Sequence, residues 1–166
     1  VYLVTFQRNF SSTDYDVHGQ MVNTDGTLNG SRLFIENAGD FQYAGRVANV
    51  NSQDSFLVVY TVNQTTGDYI AGRAVRASDG VIGVRTTLID NANSLGQPDV
   101  GGEATTADNE GILVWTDFTS DEIFAKQVSV VANTSPTLPT CSPFAANVLI
   151  GDVNGWTNSV PTISKS

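Results

Sequence analysis

Cysteine and histidine, on which many catalytic and metal sites depend, are nearly absent from this sequence. It has one cysteine, Cys141, and one histidine, His18, among 166 residues. A single cysteine excludes an intramolecular disulfide and a thiolate metal cluster. A nucleophile–base pair would have to be assembled around His18 from distant residues, and we expect this histidine to be a hydrogen-bonded structural residue instead. No glycine-rich phosphate loop and no His-Glu-x-x-His motif is present, so the sequence predicts a protein that is not an enzyme.

Positive charge is scarce as well. Eight Lys and Arg residues stand against 17 Asp and Glu, a formal net charge of −9. This excess of negative charge opposes binding to phosphate backbones and anionic lipid surfaces, so we expect no nucleic-acid partner. No apolar run approaches the roughly 20 residues of a membrane helix, and we expect no membrane insertion. Abundant Asn, Ser, Thr, Gly and Asp favour turn-rich β-structure facing an extracellular medium, which predicts a secreted or cell-surface protein.

What the sequence does contain is an internal repeat. Hydrophobic runs recur at spacings of 54 and 56 residues, at 2–6, 56–60 and 112–115. A second segment recurs at a spacing of 53, at 17–22, 70–75 and 123–128, and the first two copies are followed by Asp-Gly turns at 25–26 and 79–80. Third segments lie at 33–37, 87–91 and 148–150, and fourth segments at 46–48, 98–100 and 161–163. The pattern predicts one repeat domain, with repeats at about 1–54, 55–110 and 111–166.

Each repeat reads as four short strands, and no segment shows a sustained helical period. This predicts an all-β fold of about three four-stranded antiparallel blades of the β-propeller type. A β-sandwich and a β-solenoid are the alternatives, although the internal repeat argues against a sandwich. The order of segments is permuted, so that residues 160–164 would complete the first blade. Because closed rings have about four to eight blades, we expect a longer propeller, a pair of chains or head-to-tail copies, joined through the terminal strands.

The repeated motifs also carry a family resemblance. The segments YLVTF, FLVVY and ILVW, then DYDVHGQMV, DYIAGRAV and EIFAKQV, and the turns TDGTLNG and SDGVIG span nearly the whole chain. They resemble repeats of about 55 residues in large secreted or surface proteins of bacteria, which read approximately YLVVW, YDIYGQRV and DGT. Residues 137–158 depart from that pattern. The resemblance implies β-propeller modules with adhesive or scaffolding roles and implies no shared catalytic residue.

Two sets of residues are candidates for binding. Acidic residues recur in the loops after the hydrophobic runs, where oxygen ligands suit Ca²⁺ although no established calcium loop is present. These candidate calcium ligands are Asp14, Asp16, Asp68, Asp121 and Glu122. The same carboxylates are also explained as solvated turn residues or as the acid pair of a glycosidase.

The second set consists of aromatic residues at the same end of the blades. They are candidates for binding a sugar or a protein, or else they cover blade edges. These residues are Phe41, Tyr43 and Trp156.

The function that these observations favour is that of a non-enzymatic propeller module acting in adhesion or assembly through protein contacts. A carbohydrate-binding, lectin-like propeller is the alternative. A glycosidase-type enzyme is a third hypothesis.

Overall fold

The computed structural model describes residues 1–91, 93–102 and 109–130, and the backbone of 139–140 and 148–152. The fold is all-β, and across the described ranges one short 3₁₀ turn, Asn51–Gln53, interrupts the strands. The strands are β1 Tyr2–Ser11, β2 Asp14–Val22, β3 Leu28–Glu36, β4 Phe41–Val50, β5 Ser55–Gln64, β6 Gly67–Arg76, β7 Thr86–Ile89, β8 Leu95–Gly101, β9 Glu110–Asp117, β10 Glu122–Val130, β11 Pro139–Thr140 and β12 Val148–Asp152. Among these residues, no helix is long and apolar enough to cross a membrane.

The strands form three antiparallel units. The first unit is β1-β2-β3, the second is β4-β5-β6-β7, and the third is β8-β9-β10 with β11 and β12 beside β10. A single parallel bridge between Tyr15 and Phe41 joins the first two units into one seven-stranded sheet. The described strands do not close into a barrel or a ring, so the fold itself does not establish a number of blades.

The predicted strand positions are confirmed where the structure describes them. The three hydrophobic runs lie in β1, β5 and β9, and the second segments lie in β2, β6 and β10. Gly26 and Gly80 have φ angles of 86° and 73°, as the Asp-Gly turns predicted. The carboxylates of Asp25 and Asp79 accept hydrogen bonds from the amides of Thr27 (2.9 Å) and Val81 (3.1 Å). Residues 160–164, predicted to complete the first blade, lie outside the described residues.

One detail of the predicted repeat is wrong. Matching residues 56–60 with 112–115 from their first members equates Leu57 with Leu113, but the strand pairing does not. Leu57 lies opposite Ala74 of β6, whereas Leu113 lies opposite Lys126 of β10, the counterpart of Arg73. Since successive side chains of a strand point to opposite faces, this shift of one residue exchanges the two faces of β9.

The corrected register gives a clear correspondence between the units. The aromatic residues Phe6, Tyr60 and Trp115 lie opposite His18, Ala71 and Phe124, which stand 53 residues apart along the chain. The corresponding sets in β1, β5 and β9 are therefore Tyr2, Val4 and Phe6; Phe56, Val58 and Tyr60; and Gly111, Leu113 and Trp115.

The core consists of two layers of side chains between successive units. The layer between the first two units includes Leu3, Val17 and Ile35 on one side and Val58 and Tyr60 on the other. The layer between the second and third units includes Leu57, Val59 and Ile70 facing Leu113 and Trp115. Residues 56–62 are all buried because β5 contributes to both layers, which explains why its sequence is continuously apolar.

Candidate functional site

The face of the first unit that points away from the second is apolar and exposed. Burying apolar side chains is favourable, and large exposed apolar patches commonly mark binding surfaces. The members of this aromatic end face, with their exposed fractions, are Tyr2 (59%), Val4 (50%), Phe6 (40%), Phe10 (48%), Leu28 (70%) and Phe34 (49%). Alternation along β1 and pairing through β2 to β3 place them on one side of the sheet, since Phe6 and Phe34 both lie opposite His18.

Two arginines lie at this face over aromatic rings. The guanidinium carbon of Arg8 lies 4.5 Å from the centre of the Phe10 ring, and that of Arg32 lies 4.8 Å from the centre of the Phe34 ring. A cation over the face of an aromatic ring is attracted by the ring's quadrupole. The aromatic end face is therefore apolar with a positive border.

A buried histidine and aspartate lie beneath the aromatic end face. His18 is fully buried and Asp16 is 1% exposed. The ring centres of Phe6, Phe10 and Phe34 lie 5.9, 6.1 and 5.0 Å from that of the imidazole. The Nε2 atom of His18 lies 3.4 Å from Oδ2 of Asp16, but neither ring nitrogen has a partner with hydrogen-bond geometry. His18 is buried, but the hydrogen bonds that we expected for it are not present.

The environment of this pair favours the uncharged form of both groups. Burial lowers the pKa of His18, and Arg32 lowers it further, while Asp16 opposes the change. Burial also raises the pKa of Asp16, with Asp14 adding to the effect and His18 opposing it. Because solvent does not reach either side chain, the pair is poorly placed to exchange a proton with a substrate.

Sequence analysis missed a second buried acid, Glu36 of β3, which binds across the first two units. Its Oε2 atom accepts a hydrogen bond of 2.6 Å from the hydroxyl of Tyr60 and bonds of 3.2 and 3.3 Å from the guanidinium of Arg73. The guanidinium of Arg85 lies 3.7 Å away. Burial raises the pKa of Tyr60, and Glu36 raises it further. The only signal in the sequence is a charged residue that follows three apolar residues in a predicted strand.

The candidate calcium ligands are not gathered at one place. The described residues contain no group of three or more His, Cys, Asp or Glu side chains placed to hold a metal ion. Asp16 lies under the aromatic end face, and Asp68 accepts hydrogen bonds from Asn63 and from the hydroxyl of Ser94 (3.1 Å). Asp14 and Glu122 are partly exposed, and Asp121 is exposed. Calcium binding stays a prediction.

Asp68 and a further acid, Asp117, hold the loop that joins the second unit to the third. Asp117 accepts hydrogen bonds from the side chain of Asn93 (2.6 Å) and from the amides of Thr119 (2.9 Å) and Ser120 (3.3 Å). Burial by itself raises the pKa of Asp117, but these hydrogen bonds outweigh it and leave the pKa below its usual value. These carboxylates therefore have structural partners.

The candidate ligand-binding aromatics form part of a row at the loop end of the first two units. The ring centres of Tyr15 and Phe41 lie 4.2 Å apart, and those of Phe41 and Tyr43 lie 5.4 Å apart. Phe41 also borders a cavity of about 590 Å³ whose other walls are mainly polar: Ser12, Thr13, Gly39, Asp40, Asn63, Gln64, Thr65 and Thr66. Tyr15 was not predicted, and Trp156 lies outside the described residues.

Comparisons with models of protein families, with curated proteins and with solved structures gave no match to this chain.

Proposed function

We propose that this chain is a non-enzymatic β-propeller-type module of a secreted or cell-surface protein, acting in adhesion or assembly through protein contacts. The observation that carries the proposal is the aromatic end face of the first unit. Its composition, the repeated packing of the units and the sequence resemblance to bacterial surface repeats support the same function. The extracellular location is supported by composition and by that resemblance.

The positions that form the aromatic end face in the first unit are buried in the second unit. Phe56, Val58 and Tyr60 correspond to Tyr2, Val4 and Phe6, and all three are buried against the first unit. In the third unit, Leu113 and Trp115 at the corresponding positions are buried against the second. One type of interface therefore occurs twice within the chain, with the same face of each later unit packed on the unit before it. A third interface of this type would cover the aromatic end face.

The third unit offers the surface that fits. Its outer face is formed by Ile112, Val114 and Thr116 of β9 and Ile123 and Ala125 of β10. In the second unit the corresponding residues are Leu57, Val59, Thr61, Ile70 and Gly72. Leu57, Val59 and Ile70 pack in the layer against the third unit. Ile112 is 46% exposed. We therefore assign the outer face of the third unit of a second copy as the partner of the aromatic end face.

The proposed pairing joins two different faces of the chain. A contact between different faces of two copies is heterologous, so it forms a closed ring or an open chain.

The buried polar groups have roles that favour binding over catalysis. Asp16 and His18 lie under aromatic rings, Glu36 binds Tyr60 and Arg73, and Asp117 holds a loop. None of these groups lines the cavity beside Phe41. Acidic residues that are engaged in contacts within the fold favour a module that acts through its surfaces over one that catalyses a reaction.

The test is sedimentation velocity of the purified chain over a range of concentrations. We expect the wild-type chain to form dimers or larger species, and Val4→Glu to remain monomeric because it places a charge in the aromatic end face. Thr65→Glu, on an exposed loop, is the matched control and should associate like the wild type. A wild-type chain that is monomeric at every concentration, or a Val4→Glu variant that associates normally, contradicts the proposal.

Carbohydrate binding is the second candidate, and the aromatic row beside the polar cavity favours it. Sugars bind where aromatic rings lie next to hydrogen-bonding groups, and here Phe41 meets Asp40 and Asn63. A glycan array with the wild-type chain and Phe41→Ala tests it. Selective binding that is lost in the variant would establish this function, and absence of binding to every glycan would leave protein contacts.

A further inference from the structure

Three pairs of residues in the described part of the chain place an aspartate or an asparagine directly before a glycine. They are Asp25-Gly26, Asn29-Gly30 and Asp79-Gly80. In such a pair the backbone nitrogen of the glycine can attack the side-chain carbonyl carbon of the residue before it, because glycine has no Cβ atom to obstruct the approach. Asparagine reacts in this way with loss of ammonia and is one of the thermolabile residue types.

The two aspartates are held by hydrogen bonds, whereas the side chain of Asn29 is not. The carboxylate of Asp25 accepts bonds of 2.9 and 2.6 Å from the amide and the hydroxyl of Thr27. The carboxylate of Asp79 accepts bonds of 2.8 and 2.6 Å from the guanidinium of Arg76. The Asn29 side chain forms no hydrogen bond with the described residues, and it is exposed. It is therefore free to turn toward the peptide group that follows it.

The pairing of β2 with β3 leaves room for a ring to close at this position. Asn29 lies opposite Met21 and Leu33 lies opposite Gly19, so that three residues of β3, 30–32, stand where β2 has one. Residues of a bulge have no partner in the ladder. The glycine of the pair has a φ angle of 70°, and no atom lies within 4 Å of the place that its Cβ atom would take. The backbone can therefore adjust there without displacing a neighbour.

The β2 residue opposite the bulge, Gln20, contacts the peptide group that would react. Its Nε2 atom donates hydrogen bonds of 3.2 Å to the carbonyl oxygen of Asn29 and of 3.2 Å to that of Gly30. The carbonyl of Asn29 and the backbone nitrogen of Gly30 belong to one peptide group. A hydrogen bond to an oxygen strengthens when that oxygen gains negative charge. Gln20 therefore stabilises the anion that forms when this nitrogen loses its proton, and the anion is the attacking species.

We propose that Asn29 is a site of spontaneous deamidation, promoted by Gln20, with water as the co-reactant. The nitrogen of Gly30 forms a bond to Cγ of Asn29, and the bond from Cγ to the side-chain nitrogen breaks. Ammonia leaves with the proton that the Gly30 nitrogen has lost, and a succinimide remains. Water then opens the succinimide at either carbonyl carbon and gives aspartate or isoaspartate. Each product adds a negative charge, and isoaspartate also lengthens the backbone of β3 opposite Met21, which is buried between the first two units.

The test is ageing of the full folded chain in a mildly alkaline buffer, followed by peptide mapping with a mass-spectrometric method that distinguishes isoaspartate from aspartate. The chain carries Asn154→Gln, because Asn154 also precedes a glycine. We expect Asn29 to be converted several-fold faster than Asn51, which is also exposed but precedes a serine, and isoaspartate to be the main product. Conversion of Asn29 no faster than that of Asn51 would overturn the proposal.

Substitutions at Gln20 test its part in the reaction. Gln20→Met removes the donor with little change in side-chain length and should slow conversion of Asn29 several-fold in the folded chain. Gln20→Lys restores a donor and should recover most of the rate. In concentrated urea all three chains should react at the same rate, because unfolding removes the contact.

Equal rates in the folded chains would show that Gln20 takes no part. A difference that persists in urea would show that its effect does not come from the contact in the folded chain. Melting curves confirm that each variant folds, and the comparison of Asn29 with Asn51 needs no variant of Gln20.

Discussion

The hydroxyl of Tyr60 donates a buried hydrogen bond of 2.6 Å to Oε2 of Glu36, joining β5 of the second unit to β3 of the first. Glu36 is 4% exposed and Tyr60 is fully buried. The guanidinium of Arg73 also bonds to this carboxylate. A buried carboxylate is costly unless it is paired and hydrogen-bonded, so this contact stabilises the packing of the first two units together with the apolar layer between them.

Removing the Tyr60 hydroxyl tests this network. Tyr60→Phe keeps the ring but leaves the Glu36 carboxylate with fewer donors, so we expect a loss of roughly 1 to 3 kcal/mol in the free energy of unfolding. Chemical denaturation is the measurement. The same substitution in a Glu36→Gln background should cost less, because the acceptor is no longer a buried charge. Equal losses in the two backgrounds would mean that the hydroxyl and the carboxylate are not coupled.

The pH dependence of stability should reveal His18. Because its pKa in the folded chain is lowered, the unfolded chain binds the proton more readily, and stability falls as the pH drops below about 6.5. Arg8, Arg32, Asp14 and Asp16 are the charged groups around it, and the raised pKa of Asp16 acts in the opposite direction at lower pH.

The comparison variant is His18→Phe, which places in the first unit the residue type that Phe124 provides in the third. His18 is the only histidine, so melting between about pH 8 and about pH 5.5 isolates its titration from that of most carboxyl groups. We expect the wild-type melting temperature to fall more over this range than that of the variant. Parallel curves would show that protonation of His18 has no effect on stability.

Core substitutions test the register of the third unit. Leu57 and Leu113 are buried in the layer between the second and third units, and each should cost roughly 2 to 5 kcal/mol when replaced by alanine. Ile112→Ala should cost much less, because Ile112 is 46% exposed, and Thr65→Ala should cost almost nothing. Denaturant unfolding measures all four. A large loss of stability in Ile112→Ala with a small loss in Leu113→Ala would show that Ile112 is the buried residue. That result would support the alignment that matches Leu57 with Leu113.

Calcium binding, predicted from the acidic loops, is tested by melting. An ion that binds only the folded chain raises the melting temperature, so the curve in millimolar calcium should lie above the curve in a chelator. Asp121→Asn and Glu122→Gln should remove the difference if these exposed and partly exposed carboxylates are ligands. Identical curves with and without calcium would contradict the prediction. The acids would then be structural or solvated residues.

Strand positions could be predicted from the sequence because apolar β-branched runs and Asp-Gly turns are local signals. The register of β9 could not, because the four residues 112–115 match the five residues 56–60 in two ways. Only the pairing of β9 with β10 distinguishes the two alignments. Glu36 and Arg73 are 37 residues apart, so their contact depends on the packing of units. Sequence analysis missed the aromatic end face because the exposure of Val4 and Phe6 depends on whether another unit packs against that side of β1. The repeat pattern does not specify this.

The most direct measurement of the central claim, head-to-tail association of unlike faces, is a mixing experiment. Val4→Glu disables the aromatic end face, and Ile112→Glu disables the outer face of the third unit, so each variant alone should sediment as a monomer. Mixed together they retain one intact pair of faces, and the account predicts a one-to-one dimer. Monomers in the mixture, or self-association of the Ile112→Glu variant on its own, would contradict pairing between these two faces.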